Sequence, residues 1–170
     1  MSSSMPDKFI EVWDQEARRT VEVLRALPLT KYDFRPDAGG RSLGELAWHL
    51  AEVDGYISLL IEKGTLDAGD KPPNIERPRS IEALAPAYER VHREAVARIR
   101  PLKPEDMQRR VPFFDGRPMA IEDLLWGAIV DHMIHHRGQL VLMCRLAGGS
   151  PPGLYGPTRE QTAVARENRG

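Results

Sequence analysis

Four stretches of this chain carry apolar residues at three- and four-residue steps, and segments rich in proline and glycine separate them. That spacing puts the apolar side chains of each stretch on one side of a helix, so the stretches must bury their stripes against one another. Between Pro6 and Leu27 the stripe is Phe9, Val12, Trp13, Val23, Leu24 and Leu27. Residues 28–40 hold two prolines and an Asp-Ala-Gly-Gly sequence without periodicity, which marks a connection.

Ser42 is an N-cap candidate with Glu45 in the capping-box position. The second helix carries Leu43, Leu46, Leu50, Val53, Ile57, Leu60 and Ile61 and ends at Gly64. A long crossover connection follows, containing Pro72, Pro73 and Pro78. Ser80 is placed to cap a third helix with the stripe Ile81, Leu84, Ala85, Tyr88, Val91, Ala95, Ile99 and Leu102. Pro86 within it implies a kink or a later start. Asp115-Gly116 predicts a tight turn between short extended arms. The fourth helix runs from Ile121 to Leu146 and stops at Gly148-Gly149; the tail from Pro157 either forms one short helix or frays. The expected fold is therefore all-α, a four-helix bundle.

The length of 170 residues suits one domain, residues 1–170, and 41% hydrophobic with 29% charged residues describes a globular chain. With 24 basic and 25 acidic residues the formal charge is -1, which gives no general attraction to nucleic acid or to an anionic membrane. No stretch approaches the roughly 18 apolar residues of a span, and the N-terminus does not read as a secretion signal. The single Cys144 permits no intrachain disulfide, so a cytoplasmic setting is expected.

Chemistry concentrates in the fourth helix. At about 100° per residue, His132 and His136 share a face with Leu125, Ile129, Leu140 and Met143. Inward imidazoles need partners for their ring nitrogens, and an i, i+4 pair can aim one nitrogen from each ring at a shared cation. Hydrogen-bonded core histidines are the alternative. His135 lies roughly 90° away and is not counted as a ligand. A third ligand is needed, the remaining histidine candidates are His49 and His92, and the wheel favours His92, since His49 sits about 70° from the centre of its stripe. Glu52, one turn after His49, is a further ligand or base candidate, with a solvated helix face as its other reading.

The segment Ser42-Leu43-Gly44-Glu45-Leu46-Ala47-Trp48-His49-Leu50, followed by His132-Met133-Ile134-His135-His136-Arg137-Gly138-Gln139, resembles the DinB superfamily. The resemblance implies a four-helix bundle, commonly homodimeric, with a divalent metal held by His49, His132 and His136. It reverses the wheel's preference for His92, which becomes a core or rim histidine. Zinc or nickel leads among the ions, with iron and manganese behind. The expected activity is thiol-dependent S-transfer or hydrolysis of a small-molecule substrate, for instance with a low-molecular-weight thiol as partner. A non-enzymatic, stress-related dimeric bundle with a structural or vestigial metal is the alternative.

Three neighbouring residues carry expectations of their own. Gln139 orients a ligand histidine or a water, or satisfies a buried carbonyl. Gly138 implies close approach by another helix. Arg137 faces outward or pairs with an acid. A second apolar side of the fourth helix, Trp126, Val130, Ile134, Val141 and Cys144, predicts cover by a second copy of the chain, or else by the tail or the connection after the first helix.

Overall fold

The computed structural model describes residues 4–167. Three helices, α1 (Met5–Arg25), α2 (Leu43–Lys63) and α3 (Ile81–Ile99), precede a 3-10 turn at Pro104–Gln108. A hairpin of β1 (Arg110–Pro112) and β2 (Pro118–Ala120) follows. The last long helix, α4, covers residues 121–146 in three continuous pieces: Ile121–Asp123 in α geometry, Leu124–Asp131 in π geometry and His132–Leu146 in α geometry. A short helix, α5 (Arg159–Glu167), ends the described chain, so the tail takes the helical of its two expected forms.

Local chemistry sets most of these limits. Ser42 Oγ accepts from the Glu45 amide while Glu45 accepts from the Ser42 amide at 2.8 Å, the reciprocal capping box. Gly64 ends α2 at φ 80°, a left-handed conformation that glycine adopts without a Cβ penalty. Ser80 occupies the N-cap of α3 but its side chain makes no capping bond, and the helix begins at Ile81 with Pro86 inside it rather than starting later. In the hairpin, Arg110 pairs with Ala120 and Gly116 takes φ 81° directly after Asp115, as a three-residue turn requires.

The four long helices enclose one core in which Trp13, Trp48, Leu50, Tyr88, Ile99 and Leu125 are all buried. The crossover connection is tied to this core. Trp48 Nε1 donates to the Ile75 carbonyl at 3.1 Å, and a Cβ on Gly55 would stand 3.1 Å from Ile75 and 3.2 Å from Pro72. Tyr32 in the first connection donates to the Pro78 carbonyl at 2.6 Å, joining the two connections.

The face of α4 differs from the wheel. Its buried positions run through Ile129, Met133, Arg137, Leu140 and Cys144, while His132 and His136 are half-buried at the edge. A π turn closes i to i+5 bonds and advances each residue by less than the α step, so eight π residues delay the frame. The stripe after it moves along by about one residue.

The second apolar side of α4 is largely covered by the chain itself. Val130 and Cys144 are buried, Trp126 meets the Phe9 ring edge-on at 5.3 Å, and Ile134 and Val141 share a groove with Pro152, Leu154 and Tyr155 of the tail. Burial pushes the Cys144 thiol up, as expected for a small core residue. Among the described residues no helix is long and apolar enough to cross a membrane.

Candidate metal centre

Two helices supply the histidines. His49 comes from the second turn of α2, and His132 and His136 from successive turns of α4 just after the π segment. One ligand atom from each ring can be chosen so that all lie within 4.8 Å of one another. His49 Nε2 and His132 Nε2 are 3.2 Å apart. Two ligands at 2.0–2.1 Å from a tetrahedral ion stand about 3.3–3.4 Å apart, so these nitrogens fit a shared cation without rearrangement.

The outer nitrogens set the tautomers. His49 Nδ1 donates to Glu52 Oε2 at 3.2 Å, and His136 Nδ1 donates to Gln139 Oε1 at 2.7 Å, which leaves the Nε2 lone pair of each ring available. The Gln139 amide then donates to His135 Nε2 at 3.1 Å, so His135 buttresses the site from outside it. Burial, followed by the charges of His136, His49, His135 and Arg41, lowers the His132 pKa to about 4. His136 is lowered too, mainly by burial, against the opposing bond to Gln139. Neutral imidazoles are the form that binds a metal.

A cavity of about 480 Å³ opens beside His49 and His132. Its walls are Val53, Tyr56, Ile57, Phe113, Phe114 and Ala128, with Glu52 and Arg41 as the polar members. The histidines are thus reachable by a small molecule from one side.

His92 is inward, as the wheel predicts, but belongs to a different network. Its Nδ1 lies 2.9 Å from Asp54 Oδ2 and its Nε2 3.0 Å from Asp14 Oδ1. Burial opposes the charged ring, but the bonds to the two carboxylates and their charges outweigh it and hold the pKa at about 9. Asp54, fully buried, also accepts from Trp13 Nε1 and Tyr88 Oη, each at 3.1 Å. Its place on the α2 stripe between Leu50 and Ile57 was a legible sign of a buried acid needing donors.

Arg137 is not outward; only 1% exposed, it pairs with Glu16, fulfilling the other reading. It also donates to the Glu16 carbonyl at 2.7 Å and to Thr20 Oγ1 at 3.3 Å, and Tyr155 from the tail donates to Glu16 at 2.6 Å. Burial works to raise the Glu16 pKa, yet these donors hold it below the ordinary value. Gly138 does not mark a close helix: a Cβ there would meet nothing within 4 Å. Nothing in the sequence pattern singled out Arg41, Tyr56, Phe113 or Phe114 as part of this site.

A helical bundle that gathers three histidines from two helices, two of them lining an open cavity, defines a class of helical proteins with a site that could hold a metal ion. This chain belongs to the DinB family, whose sequence model matches residues 1–170. It is 29% identical over 161 residues to the uncharacterized protein YrdA of Bacillus subtilis (strain 168), covering 92% of each chain. A crystal structure of a DinB-like protein from Bacillus cereus ATCC 10987 is similar at TM-score 0.73 and 27% identity, covering 91% of this chain and all of that one. The DinB-like protein YjoA of Bacillus subtilis shares the fold at TM-score 0.68 and 20% identity, over 86% of this chain and 96% of that one.

Proposed function

We propose that this protein is a metal-dependent enzyme acting on a small molecule, with a divalent ion held by His49, His132 and His136. The observation that carries the reading is the convergence of three ring nitrogens within 4.8 Å at an accessible cavity. A bound ion would supply Lewis acidity, lowering the pKa of a coordinated water for hydrolysis or of a thiol for S-transfer. Zinc or nickel suits the all-imidazole donor set, and iron and manganese follow.

The chain's own residues prepare that chemistry. Glu52 and Gln139 fix the ring orientations of His49 and His136 and turn one nitrogen of each toward the centre. The apolar walls limit competing water and favour transfer between bound groups over leakage to solvent. An open side also favours an exchangeable coordination position over the closed, structural site of a non-enzymatic bundle. A second copy of the chain and a cytoplasmic setting remain parts of the proposal, and light scattering checks the first.

Cobalt substitution tests the open position. Azide or a small thiol added to the cobalt protein is expected to shift the visible d–d bands. A tetrahedral spectrum indifferent to both would sink the enzymatic reading and support a structural metal.

A further inference from the structure

Arg41 lines the cavity beside His49 and His132, exposed and with its guanidinium uncommitted. Nearby arginines are occupied: Arg35 pairs with Glu45 at 2.8 Å, and Arg77 approaches the same carboxylate at 3.7 Å. Among the described residues, no hydrogen bond or ion pair engages Arg41, which is exposed immediately before the N-cap Ser42. The capping box fixes the backbone beside it, so the guanidinium hangs from a rigid point. The other polar wall residue, Glu52, is engaged by His49.

The same cavity presents aromatic surface. Phe113 and Phe114 come from the hairpin turn, with ring centroids 4.8 Å apart, and Phe114 is 62% exposed although it is a large apolar side chain. Tyr56 adds a third ring from α2. An aromatic pair, one ring half-buried and one exposed, lining the same cavity as an unpaired guanidinium matches a ligand with two unlike ends.

We propose that the cavity selects a small organic anion, with its carboxylate on Arg41 and its flat apolar body between Tyr56 and the Phe113-Phe114 pair. Arg41 is a specificity-determining residue on this assignment, not a catalytic one. The planar guanidinium takes a carboxylate through two parallel N–H donors, which a neutral hydroxyl cannot reproduce. The role as substrate selector rests on the three histidines being the reacting centre, whereas the binding preference itself does not require the ion.

The probes are 4-phenylbutyrate and its neutral analogue 4-phenyl-1-butanol, titrated calorimetrically into metal-loaded and chelator-stripped protein whose metal content is measured separately. Wild type is expected to bind the acid roughly tenfold tighter or more, the value of a charge-assisted contact. Arg41→Gln should erase that preference without changing metal content or the circular dichroism spectrum. Phe114→Ala should weaken both probes alike. Failure of wild type to bind either probe, equal affinity for the two, or a preference that survives Arg41→Gln would each overturn the assignment. A preference that requires the metal and ignores Arg41 would mean the carboxylate ligates the ion, sparing the metal centre but not this inference. A protein that takes up no metal yet discriminates through Arg41 would leave the binding preference standing and overturn the metal-centre reading alone.

Discussion

His49 Nε2 and His132 Nε2 face each other at 3.2 Å across the packing of α2 on α4. With His49 Nδ1 donating to Glu52, His49 Nε2 accepts from His132 Nε2–H, and a cation can take the place of that shared proton. Single substitutions His49→Ala, His132→Ala and His136→Ala should each lose most of the bound metal, while His92→Gln keeps the wild-type amount. Elemental analysis after desalting reads this directly, and full metal content in the first three would remove the centre from consideration.

His92 sets a pH dependence of stability. Its pKa is raised from 6.5 to about 9 in the folded protein. Its contribution is therefore fully present below about pH 6.5 and is lost as pH rises through about 9. The groups facing it are Asp14 on α1, Asp54 on α2, and the Trp13 and Tyr88 rings. Unfolding free energies from urea titrations at pH 6 to pH 9.5 should fall across that window in wild type, by up to a few kcal/mol, and fall less in His92→Gln.

The Glu16–Arg137 pair is nearly sealed from water, with side-chain exposures of 6% and 1%. Glu16 also pairs with Arg19, whereas among the described residues Arg137 has no other carboxylate partner, so Glu16→Ala strands the Arg137 charge and should cost about 3–5 kcal/mol in urea unfolding. Arg137→Met combined with Glu16→Leu should cost less than Glu16→Ala alone, because the buried guanidinium leaves with its partner. Tyr155→Phe, which removes one donor to Glu16, should cost about 1–3 kcal/mol.

Two helical glycines should respond with opposite signs. A Cβ on Gly44 would collide with the Tyr32 ring, so Gly44→Ala should destabilise by about 1–3 kcal/mol. Gly138 has open space around it inside a long helix, and Gly138→Ala should stabilise by about 0.5–1 kcal/mol. Thermal melts of the two variants, with opposite displacements from wild type, check both.

Elements whose causes are local were readable in advance. The start and end of α2 follow from Ser42, Glu45 and Gly64 acting on neighbouring backbone, and the hairpin follows from Asp115-Gly116. The inward position of His92 was also readable, since helical period alone decides it. Its partners were not, because Asp14 and Asp54 arrive from two other helices. Arg137 shows the same limit: an arginine at an inward position looks improbable until Glu16, 121 residues earlier in the chain, is brought beside it.

The histidine cluster was legible only in part. The i, i+4 spacing put His132 and His136 on one side of α4, and they do share a face. An ideal wheel nevertheless put that face in the middle of the core, because period analysis assumes the α step throughout and residues 124–131 depart from it. The same departure explains why His49, off the centre of its own stripe, can meet them at the edge.

That π segment makes the register of the α4 histidines adjustable by single-residue insertion or deletion. A π turn is in effect an α-helix carrying surplus chain, here set between the hairpin and the histidines. Removing one residue, Gly127 for example, would let the helix relax to uniform α geometry and swing everything beyond it by about 100°. The histidines would turn away from His49 while the amphipathic pattern stayed plausible to the eye. A transplant of this centre onto an idealised bundle must therefore carry the irregular turn along with the three ligands.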